Sequence, residues 1–477
     1  MILAVDLGTT HWKAAVFDPD TGLRHLARIP TPTVEENGWP CYDPRRLLER
    51  LRELTDGIPS QVRGGIRAVA LSGMAEAGLL VDAKSAEPLT MVWPWFDRRA
   101  LPVYERLRAQ ALFADRGGVT GLPNAFKYGI YKLLAMREAG CALEGARWLG
   151  LVEYAAFLLT GRMAAEPTLA ARTYALDINR RAWDLAFLDA LGLPQTLFPA
   201  LSETGAPMGS LKEGALNLAP GLPVCLCGHD HVCAAHAAAT LETGDVFLSM
   251  GTAQVILVTR DRFLPQDAAS GLSFGPSPVG KPYTCLGSIQ SAGGSVNYFK
   301  ELLYPGQPFE TMMEDAARAP APTGLMYLPY LAGSGAPHLN AGARGGLMGL
   351  SPQTRRGEIA AAVYEGIALE TRLVLERMGG EATGFCAMGG LTRHPRLMQI
   401  LADVTGLAAR TPDMDEGTLY GAARLAAQKA LGETLLPLAG GRVFRPDEER
   451  HRAYTNLYQE RYLPFSAFVA GTCDAKG

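Results

Sequence analysis

No apolar run in the 477-residue chain approaches the roughly 20 residues that cross a bilayer, so a membrane role is not expected. There is no basic excess either: 45 Lys and Arg face 48 Asp and Glu, for a net charge of −3. That balance gives no reason to expect nucleic acid or an anionic membrane as partner. Cysteine is scarce, at eight residues, which fits reduced thiols in a cytoplasm rather than a disulfide framework. The first strand-like run starts at Ile2 and leaves no room for a signal peptide, so a cytoplasmic location is expected. What remains is a globular composition, 48% apolar and 19% charged, in a chain too long for one ordinary core. Two domains are expected, residues 1–238 and 239–477, in an α/β fold.

The centre of the chain carries the sharpest local signal. The apolar run Val224 to Leu226 ends at Gly228, Asp230 follows, and Ala234 to Ala239 reads as a helix. A carboxylate at a strand-to-helix junction stands where α/β folds gather catalytic groups. Asp230 is therefore the candidate catalytic base, near the boundary of two lobes.

Near the start, Asp6-Leu-Gly8-Thr9-Thr10 links two apolar strands, with Lys13 just beyond. Backbone N–H groups and hydroxyls of such a turn can hold phosphate oxygens, and Asp6 can hold Mg²⁺ through water. A second strand–turn–strand, with Gly251-Thr252 at its turn, repeats the pattern after Asp230 and points to two related lobes. Gly293-Gly294 opens a helix, so its amides are candidates for a further phosphate. Gly389-Gly390, at a strand end before His394, offers bare backbone to a flat base or ribose. Glu76 and Trp95 follow other strands, as hydroxyl acceptor and apolar wall respectively. Residues 100–220 read as helical, with the loop around Phe126, and carry no chemistry by themselves. Residues 440–477 read as a polar loop, one helix and a disordered end.

These stretches together resemble the FGGY family of carbohydrate kinases, of the actin-like ATPase superfamily, from about residue 2 to about 465. The carriers are Asp6-Leu-Gly-Thr-Thr10, Ser72-Gly73, Trp95-Phe-Asp-Arg-Arg99, Leu159-Thr-Gly-Arg162, Gly228-His-Asp230, Gly251-Thr252, Ala343-Arg-Gly-Gly346 with Gly349-Leu-Ser351, and Gly389-Gly390 with Gln399, Ala402 and Asp403. The resemblance implies two ribonuclease-H-like lobes, with ATP and a sugar meeting in the cleft. It places the catalytic aspartate on Asp230 and substrate contacts on Ala75, Glu76, Trp95 and Phe126. It places ATP contacts on Gly8, Thr9, Thr10, Lys13, Gly251, Thr252, Gly293, Gly294, Gly389, Gly390 and His394. Asp6 and Asp230 would hold Mg²⁺.

The implied activity is ATP-dependent phosphorylation of a primary hydroxyl of a small ketose or polyol, with a glycerol/erythritol-type polyol kinase or a gluconate-type kinase as the alternative, and a homodimer is compatible with it. Glycerol kinases of the family carry Arg-Glu where this chain has Ala75-Glu76, and xylulokinases carry Met-His. The usual Asp before Tyr is Glu153 here, before Tyr154. Glu76 suits hydroxyl donors better than a carboxylate such as that of gluconate. Two rivals stand beside this reading. One is a sugar or nucleotide sensor that keeps the fold. The other is a zinc site among Cys225, Cys227, His229, His231, Cys233 and His236, disfavoured because the cysteine spacing suits buried strand filler.

Overall fold

The computed structural model describes residues 1–472 except Glu381; the end of the tail, expected to be disordered, lies outside the described residues. Two mixed sheets organise the chain. The first has six strands in the order Pro207–Ser210, Pro223–His229, Ala68–Gly73, Ile2–Leu7, His11–Asp18, Gly22–Pro30. Its three central strands, Ile2–Leu7, Ala68–Gly73 and Pro223–His229, run parallel. The second sheet has seven strands and repeats the plan. Val246–Met250 pairs antiparallel with Gln254–Arg260 and parallel with Gly384–Met388, which pairs parallel with Ala408–Thr411. The echo between the two Gly-Thr hairpins is thus structural: each hairpin occupies the same position in its sheet.

Local sequence explains these elements. The strands Ile2–Leu7 and Ala68–Gly73 are buried almost throughout, as near-continuous apolar runs covered on both faces should be. Asp43 caps the turn Pro44–Arg46 by accepting from the Arg45 amide at 3.0 Å. The helix Leu47–Asp56 that follows buries Leu47, Leu51 and Leu54. The long helix Arg356–Met378 stops at Gly379, whose φ of +66° is costly for other residues. Residues 101–190 hold the expected helices: Gly129–Glu138 packs in a cluster of its own, and Leu151–Thr160 packs into the core of the first sheet.

Gly417–Ala426 joins the halves. At the start of this small-residue helix Gly417 sits against Met388, beside Gly389-Gly390. Most of it, however, lies on the helix Asp230–Ala237 and on the first sheet, where Leu419, Ala422 and Ala423 pack against Cys225 and Cys227. At Gly421 a Cβ would overlap the Cys233 carbonyl. Gly421→Val is therefore expected to cost at least ~1–3 kcal/mol, because a backbone, not a mobile side chain, is in the way. Urea unfolding checks this against Gly390→Ala, where nothing lies within 4 Å. Equal midpoints for the two variants would mean that the contact does not hold the halves together.

Candidate active site

The parallel strands of the first sheet deliver their carboxyl ends to one edge. Asp6 stands next to last in one strand, Ser72 and Gly73 end the next, and His229 ends the third with Asp230 opening the helix after it. Gly228, at φ +97°, makes the bend, and a Cβ there would strike Thr168 and Glu166. Thr168 Oγ accepts from the His229 amide at 2.9 Å and donates to Glu166 at 2.6 Å, so a buried carboxylate fixes the strand end. Glu153, the departure from the family's Asp, accepts from the amides of Gly150 (2.7 Å) and Glu166 (2.9 Å), so it anchors the same network.

Asp230 is partly exposed to a cleft of about 280 Å³ between the halves, lined also by Thr9, Glu76, Trp95, Ala253 and Gln290. Its Oδ1 accepts from the His231 amide at 2.6 Å and lies 3.2 Å from His229 Nε2. Burial lowers the His229 pKa to about 4, so that ring is neutral near pH 7. Asp6 lies behind. Its Oδ1 is buried without a hydrogen-bond partner, and burial together with the nearby Asp230 charge pushes its pKa up to about 8. An orphaned carboxylate oxygen beside a second carboxylate fits a hard divalent cation such as Mg²⁺.

The cysteines take no part. Cys225, Cys227 and Cys233 sit in the apolar cluster under Gly417–Ala426, and burial raises all three thiol pKa values. Among the described residues, His229, Asp230 and His231 are the one set of three His, Cys, Asp or Glu side chains whose ligating atoms all lie within 4.8 Å of one another.

The far end of the cleft holds a charge cluster. Arg172 binds Glu76 Oε1 through Nε (2.8 Å) and Nη2 (2.6 Å), and Lys127 Nζ stands 3.2 Å from the same oxygen. These cations hold the Glu76 carboxyl well below the usual carboxylate range despite its burial. Glu76 takes a left-handed φ of +59°, uncommon without a reason for a residue with a side chain. The fully buried Lys132 supplies that reason. It donates to the carbonyls of Glu76 (2.5 Å), Trp93 (3.2 Å) and Pro94 (2.6 Å), tying together the segments that carry Glu76 and Trp95. Trp95 is 40% exposed and donates from Nε1 to Thr9 Oγ1 at 3.0 Å, so the wall is tied to the phosphate-type turn. Arg99, paired with Asp97 at 2.6 Å, stacks 4.0 Å over Trp93 and braces the same segment.

Other expected residues divide. Thr9, Thr10, Gly251 and Thr252 are exposed at the two turns, Gly8 is half-buried, and Ala75 lines the cleft beside Glu76. Lys13 is engaged elsewhere, bonded to Glu416 at 2.8 Å. The Gly293 and Gly294 amides are spent on the carbonyls of Gly251 (3.1 Å) and Thr252 (3.0 Å), so they brace that turn and have no hydrogen left for phosphate. Gly389, at φ +111°, lies against the Met250 backbone, while Gly390 is exposed. His394 is buried, with Nδ1 2.9 Å from the Tyr364 hydroxyl, and packs against Phe309. Phe126 does not line the cleft; its neighbour Lys127 does. Lys127 and Arg172 went unnoticed because nothing near them in sequence marks them.

Two lobes of repeated topology, with carboxylates and Gly-Thr turns at the cleft, define the class of two-lobed phosphotransferases. The comparisons make it specific: the chain belongs to the FGGY family of carbohydrate kinases, matching the family's N-terminal domain over residues 1–237 and its C-terminal domain over 246–430. A glycerol kinase from Gloeobacter violaceus is 30% identical over 435 residues, 88% of this chain and 86% of that one. The structure of a xyloylose kinase from Brucella ovis is 25% identical, with a TM-score of 0.89 over 98% of this chain and 99% of that one. The ligand-bound xylulose kinase from Lactobacillus acidophilus has the same fold, with a TM-score of 0.90, 23% identity and 99% of each chain covered. The protein is a carbohydrate kinase, an enzyme of the two-lobed actin-like ATPase fold. No helix among the described residues is long and apolar enough to cross a membrane.

Proposed function

We propose that this kinase moves the γ-phosphoryl group of ATP to a primary hydroxyl of a small polyhydroxy acceptor, a ketose or polyol or, as the alternative, a gluconate-type sugar acid. The observation that carries the reading is Asp230, a partly exposed carboxylate in one cleft with Thr9, Ala253 and Glu76. The acceptor O–H gives its proton to Asp230, the freed oxygen forms the new P–O bond in line, and ADP leaves with the electron pair of the bond that breaks. Residues 1–238 supply the acceptor site and the base, and residues 239–477 the nucleotide site. The turns at Gly8-Thr9-Thr10 and Gly251-Thr252 steady the phosphates. Mg²⁺ held by Asp6 and Asp230, largely through water, would neutralise phosphate charge.

The test is ADP release by the purified chain with glycerol, erythritol, xylulose, ribulose and fructose, alongside calorimetry with ATP. An acceptor-dependent rate well above the acceptor-free background supports the proposal. A flat panel together with no ATP binding would sink it. Glu76→Gln is expected to weaken acceptor binding by ~10-fold or more, the scale of a lost charged hydrogen bond, and to leave ATP affinity unchanged. Equal losses for acceptor and ATP would make Glu76 a structural residue.

A further inference from the structure

Three charged side chains meet at the end of the cleft away from Asp6, and their charges do not balance. Lys127 and Arg172 both converge on one oxygen, Oε1 of Glu76. Glu76 and Arg172 are about nine-tenths buried, while Lys127 keeps 33% exposure on the cleft side. Arg172 spends Nε and Nη2 on Glu76 Oε1, and Lys127 approaches the same oxygen, so among the described residues the hydrogen bonds of this cluster leave Arg172 Nη1 and Glu76 Oε2 to an acceptor. The other ionisable groups lining the cleft are Asp230, which faces the transferring phosphoryl group, and the imidazoles of His229 and His231. The acceptor end therefore holds two cations against one anion, with unspent donors and one unspent carboxylate oxygen. When an acceptor shuts water out, an unpaired cation there is costly unless the acceptor brings the missing charge.

We infer that the acceptor, in the kinase reading above, is a polyhydroxy acid whose carboxylate is held by Lys127 and Arg172. Its neighbouring hydroxyl donates to Glu76 Oε2, and its distal primary hydroxyl lies at Asp230. One surplus positive charge matches a carboxylate. A phosphate monoester, at about −1.5 to −2, would overshoot it. A guanidinium with a free edge also presents planar donors that suit a carboxylate. The sequence expectation that Glu76 disfavours a carboxylate treated that residue as alone; with two cations on it, the local sign reverses.

The experiment is ADP release by the full chain with matched pairs: erythronate with erythritol, ribonate with ribitol, gluconate with glucitol, plus ribose 5-phosphate. Glycerol, xylulose, ribulose and fructose complete the panel. The expected result is that in at least one pair the acid exceeds its polyol by ~10-fold or more in kcat/KM. Lys127→Met should then raise KM for that acid ~10-fold more than KM for its polyol, with ATP affinity unchanged. Lys127→Arg should restore most of the loss. Acids no better than their polyols, with any neutral acceptor turned over, overturn the inference and leave the kinase reading standing. Preference for the sugar phosphate, or an equal change for acid and polyol in Lys127→Met, also overturns it. A panel flat for every acceptor, with no ATP binding, overturns the kinase reading and the inference with it.

Discussion

Asp230→Asn is expected to lower kcat by at least ~10²-fold, the low end for loss of a positioned general base. The amide keeps the shape of the carboxylate, and its oxygen still accepts from the His231 amide, so the start of the helix Asp230–Ala237 is preserved. What it cannot do is take the acceptor proton. Acceptor and nucleotide affinities are expected to change by less than kcat, because the lost interaction strengthens as the O–H bond breaks. Steady-state kinetics with an unfolding curve for each protein separates lost chemistry from lost fold. One neighbour sharpens the test. His229 Nε2 stands 3.2 Å from Asp230 Oδ1, and the ring, with its pKa near 4, can accept a proton at neutral pH. Near-wild-type turnover in Asp230→Asn, lost again in His229→Gln, would transfer the role of base to His229.

The parts of this site that were legible in sequence are those the chain writes locally. Asp6-Leu-Gly-Thr-Thr10, Gly251-Thr252 and Asp230 each carry strand, turn and chemical group within a few residues, and the structure sets them at strand ends and turns around the cleft. The charge cluster was not legible, because Glu76, Lys127 and Arg172 come from three separate segments and no periodicity links them. Lys132 hides for a further reason. A lysine inside an apolar helix reads as solvated, yet it is fully buried and spends its charge on three backbone carbonyls. Gly293 and Gly294 show the opposite failure. Glycines at a helix start fit a phosphate site, but a tertiary neighbour, the Gly251-Thr252 turn, has taken their amides. His394 likewise follows a plausible glycine pair and then turns into the core toward Tyr364.

Asp6→Asn should separate catalysis from stability in opposite directions. Without metal, Asp6 places a buried, unpartnered oxygen beside the charge of Asp230. Its pKa is raised from 3.8 in the unfolded chain to about 8 in the fold, so the native state binds the proton more tightly than the unfolded state does. The stability linked to this group is fully present below about pH 4 and is lost as pH rises through about 8. An isosteric amide has no charge to lose, so in EDTA the variant should gain on wild type from pH 5 to pH 9 and then level off. The amide still leaves a polar atom unpartnered there and removes only the cost of ionising a buried group, so the gain is expected at ~1–3 kcal/mol. With Mg²⁺ the order reverses, because cation binding stabilises a native state that has the ligand and does little for one that lacks it. Turnover of the variant with Mg-ATP should fall by ~10²-fold or more, as for loss of a preorganised charge at a phosphoryl-transfer site. Thermal unfolding of both proteins across pH, with and without Mg²⁺, reads all of this in one series. A variant less stable than wild type in EDTA at pH 8 would mean that Asp6 is satisfied in the metal-free fold and that no cation is needed there. A wild type that Mg²⁺ does not stabilise more than the variant would move the metal site away from Asp6.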